Sequence, residues 1–149
     1  MTIEGLLNKV KSVDARKAVP DIVQQTSYEI EALNKTQLFN YGVSSDGLKL
    51  VPSYSSIAYA REKNYANPRP GFGVPDLFIT GSFFKDFYVK TTKNTFQVDS
   101  VNSKSSKLKE KYGDQIFGLT KDNIKVYATG VFYAEFKKYI TLKTGLIFR

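Results

Sequence analysis

The sequence predicts an α+β fold: a small antiparallel β-sheet built on one hairpin (about 83–101), packed by N-terminal and C-terminal helices, with a long extended loop or arm at 43–75 inside a single domain spanning 1–149. Three observations carry this. Apolar residues recur at helical spacing toward both ends of the chain. Two runs near the middle are rich in aromatic and β-branched residues and alternate with the period of a strand. Between the first helices and those runs lies a stretch dense in Ser, Gly and Pro.

The first helix follows from Ile3, Leu6, Leu7, Val10 and Val13, with Lys9, Lys11, Arg16 and Lys17 on the remaining surface. Pro20 is expected to interrupt, and Asp21 to start a second, longer helix through Ile22, Val23, Tyr28, Ile30, Leu33, Leu38 and Phe39 to Gly42. Turn-forming residues then dominate: Ser44, Ser45, Asp46 and Gly47, later Pro52, and finally Asn67, Pro68, Pro70, Gly71, Gly73 and Pro75. Loops longer than about 12–15 residues are uncommon within a compact domain and are usually functional or disordered, so 43–75 is expected to be an interaction arm. Its exposed candidates for a subunit interface are Tyr54, Tyr59, Arg61, Tyr65 and Arg69. Basic residues interleaved with aromatics can also bind single-stranded nucleic acid by stacking and phosphate contact.

In the hairpin, Phe87 and Val89 form the inward pair of the first strand, with Asp86, Tyr88 and Lys90 opposite. Phe96, Val98 and Ser100 share the inward face of the second. A short helix over 103–112 places Leu108 and Tyr112 inward and leaves Lys104, Lys107, Lys109 and Lys111 exposed, closing at Gly113. These four lysines are candidates for phosphate contact. Thr120 then caps a last helix with Asp122 in its first turn, which ends before Gly145; Gly130 and several β-branched residues leave a strand over 125–133 as the alternative.

Composition narrows the chemistry. The chain has 22 Lys and Arg against 14 Asp and Glu, a net charge of +8, which favours acidic partners. It has no Cys and no His, which removes disulfides, thiolate nucleophiles, Cys or His zinc sites and imidazole triads. Ten Tyr and eleven Phe with no Trp suit protein interfaces as well as a core. Neither a secretory leader nor a membrane span is expected, because Glu4 and Lys9 punctuate the N-terminus and no apolar run approaches about 18 residues. A soluble protein made in a cytoplasm follows.

A metal-dependent nuclease would need carboxylates for Mg²⁺ and a lysine near the nucleophile. The nearest approach is Pro75 and Asp76 with Glu135, Phe136 and Lys137, at a spacing and on a helix that do not suit it. Asp86 and Asp99 could face each other across the hairpin. There is no phosphate-binding glycine loop, so no cofactor, no metal and no catalytic residue are expected.

The order of the words says more than their chemistry. A helical N-terminal half is followed by the turn of Ser45, Asp46 and Gly47, a patch at 59–63, Asp76 and Leu77, and the pair Thr80 and Gly81 before Phe83 and Phe84. The run from Lys111 through Tyr112, Gly113, Asp114, Gln115, Ile116, Phe117, Gly118 and Leu119 to Thr120 comes later, with Asn123 after it. This succession, over 28–124, resembles small virion structural proteins of tailed bacteriophages, of the head–tail connector or tail-completion (virion morphogenesis) type found in phages and prophages of Bacteroidetes. The resemblance implies a noncatalytic adaptor joining portal and tail, repeated in a ring, in contact with portal, neck or tail proteins and transiently with DNA. It implies a place in the virion neck or tail after assembly in the host cytoplasm. Thr80, Gly81, Tyr112, Gly113, Gly118, Leu119 and Thr120 are the residues that carry it. Tyr112 and Gly113 stand where better-known tail-completion families have a His and Gly motif, so both a neck ring and a tail terminator fit.

Two functions of different classes are therefore expected to compete. A connector should lose assembly, and keep its fold, when residues 52–70 are deleted. A basic DNA-binding accessory protein should show affinity that falls steeply with salt, less so once the four lysines are replaced by Gln.

Overall fold

Capping side chains set the first two helices. In the computed structural model, which describes residues 2–148, Thr2 Oγ1 accepts the Gly5 amide at 3.1 Å and opens α1 (Ile3–Lys11). Glu4 in the first turn and Lys9 and Lys11 in the last complement the helix dipole. Asp14 caps α2 (Ala15–Gln25) by accepting the Arg16 amide at 3.0 Å. Pro20 therefore lies inside a helix that has already begun, where it was expected to interrupt. It removes one backbone donor, and the carbonyl so freed belongs to exposed Arg16, where water can take it up.

The expected second long helix divides at Thr26. Thr26 Oγ1 donates to the Ile22 carbonyl at 2.7 Å and is hydrogen-bonded to the Tyr127 hydroxyl at 2.6 Å. That back-bond competes with helix propagation. Then α3 (Ser27–Thr36) buries Ile30 and Asn34 and runs into a π-helical turn, Gln37–Tyr41, that ends on Gly42. Gly42 sits at φ +56, and a Cβ there would come within 2.5 Å of Val74 Cγ1 and 2.7 Å of the Pro75 carbonyl. Only glycine fits this close crossing of two segments.

Residues 43–75 are not a free extended arm. They contain α4 (Ile57–Ala66), capped by Ser56, and they bury Leu50, Ala60, Asn67, Pro70 and Pro75. Turn residues at both ends of the segment hid a helix whose apolar stripe is one alanine wide.

The hairpin is shorter than expected because Ser82–Lys85 forms a helical turn, α5, ahead of it. Strands β1 (Phe87–Thr91) and β2 (Phe96–Ser100) pair antiparallel, with Phe87 opposite Ser100 and Val89 opposite Val98. Phe87, Val89, Val98 and Ser100 are buried and Phe96 is half-buried, the inward set read from the alternation. Asp86 and Asp99 do not face each other: Tyr88 opposes Asp99, and Asp86 accepts from Asn102 at 2.6 Å.

Helices α2 and α3 pack on β1. Phe83, Phe84, Phe87 and Phe117 form an aromatic cluster with centroids 5.0–5.8 Å apart, a spacing that favours edge-to-face and tilted contacts. Beyond β2, α6 (Ser105–Tyr112) ends at Gly113. Thr120 then caps α7 (Lys121–Tyr127). A π turn, Ala128–Phe132, joins α7 to α8 (Tyr133–Thr144), which ends on Gly145 in the left-handed region. The 125–133 segment is thus helical, and α8 packs against α1 and α2. The α+β class holds. No helix among the described residues is long and apolar enough to cross a membrane.

Candidate functional site

A cleft of about 360 Å³ lies between the segment that follows Pro75 and helix α6. Its back wall is organised by Asp76, which is only 2% exposed. The carboxylate forms an ion pair with Lys63 Nζ at 2.7 Å and accepts from Asn67 Nδ2 at 3.1 Å, from the Phe78 amide at 3.1 Å and from the Tyr54 hydroxyl at 3.3 Å. A buried charge is tolerable only when paired and hydrogen-bonded in this way. Burial, together with the neighbouring carboxylate, holds the Tyr54 phenol above its ordinary pKa.

Tyr54 is thus anchored, and it meets Tyr59 edge-on at 5.0 Å between ring centroids. Past Asp76, Leu77 takes φ 55, in the left-handed region. Gly81 (φ 76) makes the bend that sends Phe83 and Phe84 into the core; a Cβ on it would strike the Phe78 ring at 2.9 Å. Thr80 and Ser82 bond to each other through their hydroxyls at 3.2 Å.

Helix α6 supplies the facing wall. Lys104, Leu108, Lys111 and Tyr112 line the cleft, the i, i+4, i+7, i+8 spacing of one helical side. Lys107 is exposed and outside it. Lys109 points the other way: it pairs with Asp99 at 2.9 Å and lies over the Phe117 ring at 5.0 Å. The four lysines are therefore not one free basic face, because the helical period turns Lys109 back onto the hairpin.

The interface candidates separate in the same manner. Tyr54 and Tyr59 line the cleft, whereas Arg61 and Tyr65 project from α4, Tyr65 being 94% exposed, and Arg69 donates to Asn40 Oδ1 at 2.9 Å. The motif residues divide too. Thr80, Gly81 and Tyr112 line the cleft, and Gly113 ends α6 beside it at φ 88.

Gly118, Leu119 and Thr120 lie elsewhere, in a loop held by two buried amides. Asn34 Nδ2 donates to the Ile116 carbonyl at 3.1 Å and its Oδ1 accepts the Gly118 amide at 3.1 Å. Gln37 Nε2 donates to the Gly118 carbonyl at 3.2 Å, and its Oε1 accepts the Thr120 amide at 2.9 Å and Asn123 Nδ2 at 3.0 Å. The Gly-Leu-Thr element is a structural clamp.

Sequence reasoning missed Asp76, Lys63, Asn34 and Gln37 in these positions. Asp76 inside the apolar run 74–79, and two amides aligned with Ile30 and Leu38 on a buried helix face, were the signals. As for a nuclease site, Asp76 is committed to Lys63, and Glu135 pairs with Lys138 at 2.6 Å on α8. Among the described residues no three His, Cys, Asp or Glu side chains are grouped to hold a metal ion. Compared with protein-family models, curated proteins and solved structures, the chain matches none of them.

Proposed function

We propose that this protein is a noncatalytic phage virion subunit, a head–tail connector of the neck-ring or tail-completion kind, and that the cleft receives a segment of a neighbouring virion protein. The observation that supports this most is a convergence. Thr80, Gly81 and Tyr112, drawn from the resemblance, share one cleft with Tyr54 and Tyr59, drawn from the interface reading. Its walls are mostly apolar and aromatic, with hydroxyls and two lysines as the polar groups, the composition of a recognition site. A ring of such subunits joins portal to tail, each presenting the cleft to the next protein in the particle.

The test needs point substitutions. Deleting 52–70 removes Lys63 and Asn67, the partners of buried Asp76, so it breaks the fold and reads nothing about assembly. Tyr59→Ala with Leu108→Ser alters the cleft from both sides. The variant is expected to stay folded and to lose co-assembly with portal or tail components, followed by sedimentation and negative-stain microscopy. Undiminished assembly contradicts the proposal.

A DNA-binding accessory role draws on one observation: Lys104, Lys107 and Lys111 stand together on the exposed side of α6. It predicts DNA affinity falling steeply with salt, and replacing these three by Gln lowers the slope of log affinity against log salt by about 2–3. Lys109, engaged by Asp99, contributes little to that slope.

A further inference from the structure

The charge of the cleft specifies a partner. Lys104 and Lys111 are the charged side chains in its lining, and no carboxylate faces them there. Neither has an ion-pair partner among the described residues, whereas Lys63 and Lys109 are each committed to an aspartate. Two turns of one helix side separate them, about 10 Å along the axis, close to the length of roughly three residues of extended chain. Leu108 and Tyr112 fill the wall beside them, and Ile79 at the rim is 74% exposed.

We infer that the cleft binds a short, extended acidic segment of a partner protein. A large apolar or aromatic side chain of that segment enters between the Tyr54–Tyr59 pair and Leu108, and acidic residues on both sides of it meet Lys104 and Lys111. The inference rests on the connector proposal for the partner being a structural neighbour. The chain's own net charge of +8 makes a different protein the better source of such a segment. Single-stranded nucleic acid fits less well, because a phosphate backbone asks for a row of cations along the groove, and Lys107 lies outside it.

The full-length protein, isotope-labelled, is titrated with four probes while its backbone amides are followed by NMR. These are the capped peptide Asp-Asp-Phe-Asp-Asp, its counterparts with Ala in place of Phe and with Lys in place of Asp, and an oligodeoxythymidylate. The acidic phenylalanine peptide is expected to shift amides of Tyr59, Thr80 and Leu108 and to bind more tightly than the other three. Lys104→Gln with Lys111→Gln, both exposed positions, is expected to weaken it about tenfold. Lys104→Glu with Lys111→Glu should transfer the preference to the lysine peptide. No shift at the cleft, equal binding of acidic and basic peptides, or tighter binding of the oligonucleotide there each overturns the inference.

Particle assays separate this from the connector proposal. Co-assembly that survives Lys104→Gln with Lys111→Gln but not Tyr59→Ala with Leu108→Ser overturns the acidic partner and leaves the connector. Peptide binding at the cleft by a protein that enters no particle overturns the connector and leaves the chemistry of the cleft.

Discussion

The loop at 116–120 and the cleft both take residues from the run that follows Lys111, yet they use them in opposite ways. In the loop, Asn34 and Gln37 satisfy the backbone of Ile116, Gly118 and Thr120 inside the protein. At the cleft, Lys111 and Tyr112 are turned toward an open space with Lys104 and Leu108. The loop is finished without a partner; the cleft is apolar, aromatic and cationic without one. Residues that travel together in sequence can thus divide between holding the chain and presenting a surface, and substitutions should divide the same way.

The largest effect is expected behind the cleft, at Asp76. Asp76→Ala leaves Lys63, itself 16% exposed at its side chain, without a counter-charge. The loss should be about 3–5 kcal/mol in urea unfolding, the cost of breaking a buried pair from one side. A loss below about 1 kcal/mol would mean the pair is solvated and the back wall is not built as described.

Next come the loop's amides. Asn34→Ala strands the Gly118 amide and the Ile116 carbonyl and should cost about 2–3 kcal/mol, with the cleft peptide still bound at the unchanged affinity by the folded fraction. Cleft substitutions are expected to reverse that pattern. Lys104→Gln with Lys111→Gln should move stability by less than about 0.5 kcal/mol while removing most of the peptide affinity. A clamp variant that abolished binding while folded, or a lysine variant that unfolded the chain, would erase the contrast between the two regions.

The smallest effect is a pH dependence that sets Tyr54, on the back wall of the cleft, beside Tyr127, which lies outside both regions at the end of α7 and is hydrogen-bonded to Thr26. Tyr54 and Tyr127 are each held above the ordinary phenol pKa by burial. The folded state favours the neutral phenol. The stability this contributes is whole below about pH 10, the unfolded value, and is lost as pH rises through the higher folded values. Unfolding midpoints should fall on the alkaline side of pH 10, and Tyr127→Phe, which cannot ionise, should flatten the fall.

Much of the fold was legible in the residues because its signals are local. The hairpin faces follow from Phe87, Val89, Phe96 and Val98; the last helix follows from the Thr120 cap and Gly145. What was not legible depended on distant partners. Helix α4 has one buried alanine, so no apolar stripe announced it, and Ser and Pro on either side suggested a loop. Pro20 reads as a boundary until Asp14 is seen to start the helix before it.

The cleft was legible only in part. Tyr54, Tyr59 and the α6 lysines stand out by type, but which lysines face the cleft depends on helical phase and on Asp99 capturing Lys109. Asp76 is set aside as an acid for chemistry on sequence grounds, but its structural role was not legible. Lys63 and Asn67, which enclose it, come from 13 and 9 positions earlier in the chain, through the unannounced helix α4 and the turn after it.

The most direct measurement places a photo-cross-linking benzophenone side chain at Tyr59, inside the cleft, and separately at exposed Tyr28, outside it, in protein co-expressed with the portal, neck and tail proteins that the connector proposal makes its partners. Cross-linked peptides are then sequenced by mass spectrometry. The account predicts a product at Tyr59, not at Tyr28, in which the captured segment belongs to another structural protein and carries acidic residues around a large apolar one. Equal capture at both positions, or capture at Tyr59 of a basic segment or of nucleic acid, contradicts it.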